Sequence, residues 1–155
     1  EKRYCKTASL IANSARAAGV LSDCSPTELD GLYRFGRQLG LAFQVVDDIL
    51  DFTGSDQQLG KPAASDLASG YLTAPTFYAM EEHPGLQALI SREFAEPGDL
   101  DDALEMVRSS RAIARTRELA ETFASESRDS IGWMKDSASK RALLELPDFV
   151  LSRLY

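Results

Sequence analysis

The pattern of residues 25–54 limits the fold more than any other feature of the chain. Residues 25–28 read Ser-Pro-Thr-Glu, which is a capping box with proline at the first helical position. Apolar residues then recur at three- and four-residue steps until Gly54. The pattern predicts one helix of about 28 residues, or about 42 Å, where three or four turns are usual. So long a helix favours an all-helical architecture.

The remainder of the chain is also predicted to be helical, except for residues 54–72. Helical periodicity marks residues 8–18 and returns after residue 73, with helices expected over 86–96, 100–110, about 113–134 and 139–155. We expect Pro147 to break or kink the last of these. No strand pair and no internal repeat is visible, so the fold class is all-α. Residues 54–72 are rich in glycine and serine, and a loop of this length is usually functional or disordered.

The charge balance excludes several classes of function. With 17 Lys and Arg against 24 Asp and Glu, the 155-residue chain carries a net charge of −7. An acidic chain without a basic cluster is a poor candidate for binding nucleic acid or an anionic membrane surface. No apolar run approaches the length of a membrane span. The single histidine, His83, excludes a site built from several histidines, and two distant cysteines give no sign of a disulfide framework.

Three aspartates in the second half of the long predicted helix are the main functional signal. Asp47 and Asp48 precede Asp51 by four and three residues, so all three project from one face, with Gln44 one turn earlier. Like charges at this spacing destabilise a helix unless a counter-charge is present. One interpretation is a solvated acidic edge. The other, favoured by the apolar residues around the aspartates, is a site for a hard cation such as Mg²⁺.

Nearby lysines suggest that such a cation acts on a phosphate-bearing substrate. Lys61 follows Gly60 in the long loop. Lys6 and Thr7 lie on the preceding helix, which we expect to pack antiparallel to the long one. Either lysine taken alone is most simply a surface residue. Together with the aspartates, they predict a site for phosphate groups and a metal ion.

Three blocks of sequence, in this order and at this spacing, resemble the C-terminal half of trans-type isoprenyl diphosphate synthases. The blocks are Lys-Thr-Ala at 6–8, Gly-Leu-Ala-Phe-Gln-Val-Val-Asp-Asp-Ile-Leu-Asp-Phe at 40–52 and Gly-Lys-Pro-Ala-Ala-Ser-Asp-Leu at 60–67. The chain looks most like the long-chain, solanesyl-type synthases of cyanobacteria and plastids. We therefore interpret residues 1–155 as a partial polyprenyl synthase domain, whose N-terminal half with the first aspartate-rich motif is missing.

The resemblance implies a helical bundle around a deep cavity and a prenyltransferase reaction. An allylic diphosphate would ionise with the help of Mg²⁺, or of Mn²⁺ in its place, because the departing diphosphate needs its charge neutralised. Isopentenyl diphosphate would then attack the carbocation in a dry cavity, and loss of a proton would give a long-chain all-trans product.

Residue by residue, the resemblance assigns two groups of roles. The metal ligands would be Asp47, Asp48 and Asp51, with Asp47 as the direct one. The catalytic and substrate-binding residues around the allylic diphosphate would be Lys6, Thr7, Gln44 and Lys61. For Asp66 three roles stay open: orienting Lys61, binding metal through water, or acting as a simple turn cap.

We also have expectations for the assembly and location of the protein, and two alternative functions remain open. The full-length protein would be a homodimer without a membrane span, in the bacterial cytoplasm or the plastid stroma, and this piece alone would be inactive. One alternative is a non-catalytic regulatory subunit of a heteromeric synthase, although such a subunit need not keep three repelling carboxylates. A terpene cyclase is another alternative, but the second metal motif typical of that class is not visible in the sequence.

Overall fold

The computed structural model describes residues 7–54 and 64–155, and these residues form helices joined by turns. Eight α-helices lie within the described residues, none of which is in a strand, and this confirms the all-α prediction. They are α1 (Ser9–Leu21), α2 (Pro26–Thr53), α3 (Ser65–Ala68), α4 (Ala74–Glu82), α5 (Gly85–Ser91), α6 (Asp99–Ser109), α7 (Ala112–Asp129) and α8 (Ala138–Ser152). None of these eight helices is long and apolar enough to cross a membrane.

The long helix α2 has the length that its sequence predicts. It contains 28 residues. At its start the Ser25 N–H donates to Glu28 Oε2 at 2.7 Å, and the Glu28 N–H donates to Ser25 Oγ at 3.4 Å. These reciprocal hydrogen bonds are the expected capping box. The bond from the Ser25 N–H also lowers the pKa of the Glu28 carboxyl. At the other end, the Gly54 N–H still donates to Leu50 O at 2.7 Å.

Two helix ends differ from the prediction for identifiable reasons. Helix α5 ends at Ser91, five residues early, because Glu93 and Phe94 take left-handed conformations with φ values of 56° and 54°. Helix α8 does not break at Pro147 but continues to Ser152. Pro147 is buried, as is Val150 one turn later, so packing on this face offsets the backbone hydrogen bond that proline removes.

The segment that follows α2 is only partly described. Within the loop expected over residues 54–72, Ser65–Ala68 forms one helical turn. Residues 55–63 lie outside the described part of the chain. Further on, the helix expected over about 113–134 is shorter and ends at Asp129, where turns of residues 130–134 begin.

The described residues divide into two compact units. The first unit contains the described part of Glu1–Val46 together with Leu119–Tyr155, and the second contains Asp47–Glu118. The buried apolar residues of the first unit are Ala8, Ala12, Phe35, Leu39, Ala42, Val45, Val46, Ala120, Ala124, Ile131 and Val150. Ser127 Oγ donates to Phe35 O at 3.0 Å, which joins α7 to α2 inside this core.

The second unit is built around α3 to α6 and has a core of its own. The residues that cluster in this core are Phe52, Ala64, Leu67, Ala79, Leu86, Leu89, Ala103, Val107 and Ala112. The Arg92 guanidinium bonds to both carboxylate oxygens of Asp99, with Nε 2.7 Å from Oδ2. Arg92 thereby lowers the pKa of the Asp99 carboxyl. Asp99 lies in the first turn of α6 with Asp101 and Asp102, where acidic side chains interact favourably with the helix dipole.

Candidate active site

Thr7 and Gln44 meet in the first unit. Thr7 Oγ1 donates to Gln44 Oε1 at 3.3 Å, although the residues are 37 positions apart. Gln44 is only 9% exposed, and Thr7 is half-buried. The Gln44 amide oxygen therefore faces Thr7. The structure therefore brings together two of the residues that the sequence predicts for the candidate site.

Two glycines of α2 make this contact possible. A Cβ on Gly40 would lie 2.5 Å from Ala8 Cα, and a Cβ on Gly36 would lie 2.6 Å from Ile11 O. Because the neighbours are backbone atoms of α1 and its preceding turn, the two segments approach this closely only where side chains are absent. The partners run in opposite directions, so the antiparallel packing is confirmed. Ala8 adjoins Thr7, and the close approach thus sets the distance from Thr7 to Gln44.

The three aspartates lie on α2 in the second unit and differ in exposure. Asp47 is half-buried, whereas Asp48 and Asp51 are 1% and 2% exposed. The neighbouring Ile49 and Phe52 are also buried. A solvated acidic edge is therefore the wrong interpretation for Asp48 and Asp51. A carboxylate removed from water is costly unless it is hydrogen-bonded, paired or bound to a metal, so this burial favours a functional cluster.

Asp51 is tied to the segment that begins at residue 64. Ser65 Oγ donates to Asp51 Oδ1 at 3.1 Å, and the Asp66 backbone N–H donates to Asp51 Oδ2 at 3.1 Å. The Ala64 N–H donates to the backbone carbonyl oxygen of Asp51 at 2.6 Å. Sequence reasoning missed Ser65, since a hydroxyl 14 residues away from its acceptor leaves no periodic signal.

The oxygen-rich donor set fits a hard cation. Mg²⁺ prefers oxygen ligands, takes one or two carboxylates, and completes its coordination with water and substrate phosphates. Within residues 7–54 and 64–155, no group of three or more His, Cys, Asp or Glu side chains is arranged to hold a metal ion. The carboxylates therefore suit a cation that is shared with a phosphate-bearing substrate better than a closed protein site.

The remaining predicted residues divide between the described and the undescribed parts of the chain. Lys6 and Lys61 lie outside the described residues. Asp66 lies in the first turn of α3.

One contact was not anticipated: the Arg153 guanidinium lies 4.6 Å from the centroid of the Phe43 ring. This cation–π contact brings the C-terminal end of the chain to the residue that precedes Gln44.

Comparison with known sequences places the chain in a family. The family described as "Polyprenyl synthetase" matches residues 1–107. The chain belongs to the polyprenyl synthetase family. The matched range contains every candidate site residue, from Lys6 to Asp66.

Individual members of this family are similar over the whole chain. A "Prenyl transferase" of Synechocystis sp. is 57% identical over 155 residues, which are 100% of this chain and 48% of that protein. "Solanesyl diphosphate synthase 2, chloroplastic" of Arabidopsis thaliana is 45% identical over 153 residues, covering 99% of this chain and 37% of that protein. The solved polyprenyl synthase of Caulobacter crescentus, complexed with calcium and isoprenyl diphosphate, has a TM-score of 0.87 and 31% identity, covering 99% of this chain and 48% of that one. The chain thus spans about half the length of its relatives, or less.

Proposed function

We propose that the full-length protein is a trans-prenyltransferase, and that residues 1–155 form the C-terminal half of its polyprenyl synthase domain. It condenses isopentenyl diphosphate with an allylic diphosphate and produces a long-chain, all-trans polyprenyl diphosphate of the solanesyl type. The family match and the similarity to a solanesyl diphosphate synthase support this reaction and this product class.

The aspartate cluster of α2 carries the proposal. Asp48 and Asp51 are almost completely buried, and Asp47 lies on the same helix face with partial exposure. Three carboxylates at this spacing repel one another in the absence of a counter-charge. A divalent cation with a diphosphate explains why they occur together beside a core.

The metal would be held by the aspartates, with Asp47 as its direct ligand and Asp48 and Asp51 completing the acidic face. When bound, Mg²⁺ or Mn²⁺ supplies the charge neutralisation that lets diphosphate depart from the allylic carbon. A similar polyprenyl synthase was solved in complex with calcium and isoprenyl diphosphate, which supports a divalent cation in the proposed reaction.

The other residues bind and orient the substrate in this proposal. Lys6 and Lys61 bind the allylic diphosphate through charge-assisted hydrogen bonds. Thr7 holds the Gln44 amide in one orientation, so its oxygen faces a fixed direction as positive charge develops on the allylic carbon. Exclusion of water then lets the double bond of isopentenyl diphosphate, and no other nucleophile, meet the carbocation.

Assembly and location belong to the same proposal. We expect the full-length protein to be a homodimer. Similar proteins of a cyanobacterium and of a chloroplast favour the bacterial cytoplasm or the plastid stroma as its compartment.

Replacement of Asp47 in the full-length protein tests the function. Incorporation of isopentenyl diphosphate into an allylic diphosphate is measured, and the products are separated by chromatography. Asp47→Ala should lower kcat by about two orders of magnitude or more, since it removes the direct metal ligand. Asp30→Ala is the matched control, because Asp30 is an exposed carboxylate of the same helix and forms an ion pair with Arg16 at 3.5 Å.

Two outcomes would contradict the proposal. Wild-type turnover by Asp47→Ala would remove the aspartates from the chemistry. Absence of any transfer by the wild-type protein, with activity appearing only beside a second synthase chain, would favour the regulatory subunit instead.

A further inference from the structure

Helix α3 lacks the features that stabilise a helix from within. It has four residues, far fewer than the ~12–15 that an isolated helix needs in water. Its N-cap residue, Ala64, has no side-chain acceptor and takes a left-handed conformation with φ of 54°, which is strained for a residue with a Cβ. Leu67 of α3 is nevertheless fully buried in the second unit. Support from outside α3 must therefore hold this turn in place.

Asp51 provides this support from the end of α2. One carboxylate oxygen accepts from the Ser65 hydroxyl, and the other accepts from the N–H of Asp66 in the first turn of α3. These are the hydrogen bonds that an N-cap side chain normally makes, here supplied by a residue 14 positions earlier. The negative charge also stabilises the positive end of the helix.

The same bonds restrict what else the Asp51 carboxylate does. A direct Mg²⁺ ligand must turn an oxygen towards the cation at about 2.1 Å. Two donors on different atoms of α3 fix the orientation of the Asp51 carboxylate, whereas Asp47 lies half-exposed one turn earlier. The two hydrogen bonds from α3 also stabilise the Asp51 carboxylate at its low exposure of 2%.

We infer that Asp51 is the anchor of α3 and that Ser65 is a positioning residue, which holds the Asp51 carboxylate beside the proposed metal site. Direct contact with the metal falls to Asp47, as in the proposed function. The inference rests on the proposed function, because it gives different roles to the three aspartates that this function assigns to the metal site.

Charge and hydrogen bonding are separable at position 51. Asp51→Asn removes the negative charge, but its amide keeps an oxygen acceptor for the Asp66 N–H and an N–H donor for the Ser65 oxygen. Asp51→Ala removes both properties. Ser65→Ala keeps the charge and removes one donor, and Ser65→Thr restores a hydroxyl. An anchor tolerates asparagine at position 51, whereas a direct metal ligand does not.

The test uses the full-length protein and two measurements that do not depend on turnover. Amide hydrogen exchange reports on residues 64–68 in metal-free protein, and calorimetry reports the affinity for Mg²⁺ together with inorganic diphosphate. We expect Asp51→Asn to stay within about threefold of wild type in both. In Asp51→Ala and Ser65→Ala, the amide hydrogens of residues 64–68 should exchange about tenfold faster or more than in wild type. In Ser65→Thr their protection from exchange should return. Asp47→Asn should lose about tenfold or more in affinity with unchanged exchange.

Steady-state kinetics give a third readout. Ser65→Ala should raise KM for the allylic diphosphate more than it lowers kcat, since it disorders the surroundings of the site without removing a ligand. Equal losses of Mg²⁺ affinity in Asp51→Asn and Asp51→Ala would overturn the inference, as would unchanged exchange in Asp51→Ala. If the wild-type protein neither binds Mg²⁺ with diphosphate nor transfers prenyl groups, the proposed function fails instead, and hydrogen exchange alone decides whether Asp51 anchors α3.

Discussion

Replacement of Gly40 by alanine should force α1 away from α2 and disturb the contact between Thr7 and Gln44. The new Cβ would lie 2.5 Å from Ala8 Cα and 3.3 Å from Ala8 N. Carbon–carbon contacts normally lie at about 3.5–4.0 Å, so the backbone at Ala8 must retreat by about 1 Å. The distance between Thr7 Oγ1 and Gln44 Oε1, which is 3.3 Å, would then exceed hydrogen-bond length.

Opposing effects set the size of the stability change. Alanine is favoured over glycine inside a helix by about 1 kcal/mol, and loss of the Thr7–Gln44 hydrogen bond costs about the same. These two effects nearly cancel. Overpacking against a backbone atom costs about 1–3 kcal/mol, which is therefore the expected net loss in the free energy of unfolding.

A second glycine offers the matched control for this substitution. A Cβ on Gly85, the first residue of α5, would have Met106 Cε at 3.7 Å as its nearest neighbour, which is an ordinary contact. Gly85→Ala should therefore be neutral or slightly stabilising. Urea unfolding and kcat/KM of the full-length protein are measured for both variants. A Gly40→Ala protein as stable and as active as Gly85→Ala would refute the argument from close helix approach.

Three further predictions concern stability and the metal. Leu67→Ala should lower the free energy of unfolding by about 2–5 kcal/mol, because Leu67 is fully buried, and a loss well below this range in urea unfolding would contradict its place in the core. Arg92 lowers the pKa of Asp99, so the stabilisation by Asp99 is complete above its unfolded pKa of about 3.9 and is lost as the pH falls through the lower folded value. Asp99→Asn should accordingly flatten the pH dependence of the unfolding midpoint below about pH 4, and an unaltered profile would argue against the ion pair. Chelation of divalent cations should stop prenyl transfer by the full-length protein until Mg²⁺ or Mn²⁺ is returned, whereas transfer in excess chelator would exclude the metal.

Local signals account for the parts of the fold that the sequence predicts well. The capping box of Ser25 and Glu28 and the apolar repeat that follows it are properties of neighbouring residues, so the full extent of α2 was predictable. Helix α8 was not, because the effect of Pro147 depends on what its ring packs against. Local pattern decides where helices begin, and tertiary packing decides which interruptions they tolerate.

The candidate site, too, was predictable only where local patterns determine it. The spacing of the aspartates was predictable from helical periodicity, and the antiparallel approach of α1 was expected from the order of the two predicted helices. The difference in exposure between Asp47 and its buried neighbours was not, since all three share one helix face. The hydrogen bond from Ser65 to Asp51 joins residues 14 positions apart, and no periodicity in the sequence indicates that they meet.

The net charge of −7 is compatible with anionic substrates once the route of binding is considered. A basic surface would attract diphosphate without a cation, but it would also attract other anions. Carboxylates attract diphosphate only through a cation, so binding becomes conditional on metal and phosphate together. Before the cation binds, the carboxylates of such a site repel one another, and salt screens this repulsion poorly because they are buried. Other contacts must therefore keep them ordered. Neutral donors such as the Ser65 hydroxyl and the Asp66 N–H meet that need, since they stabilise an ionised carboxylate without adding a positive charge that would compete with the metal.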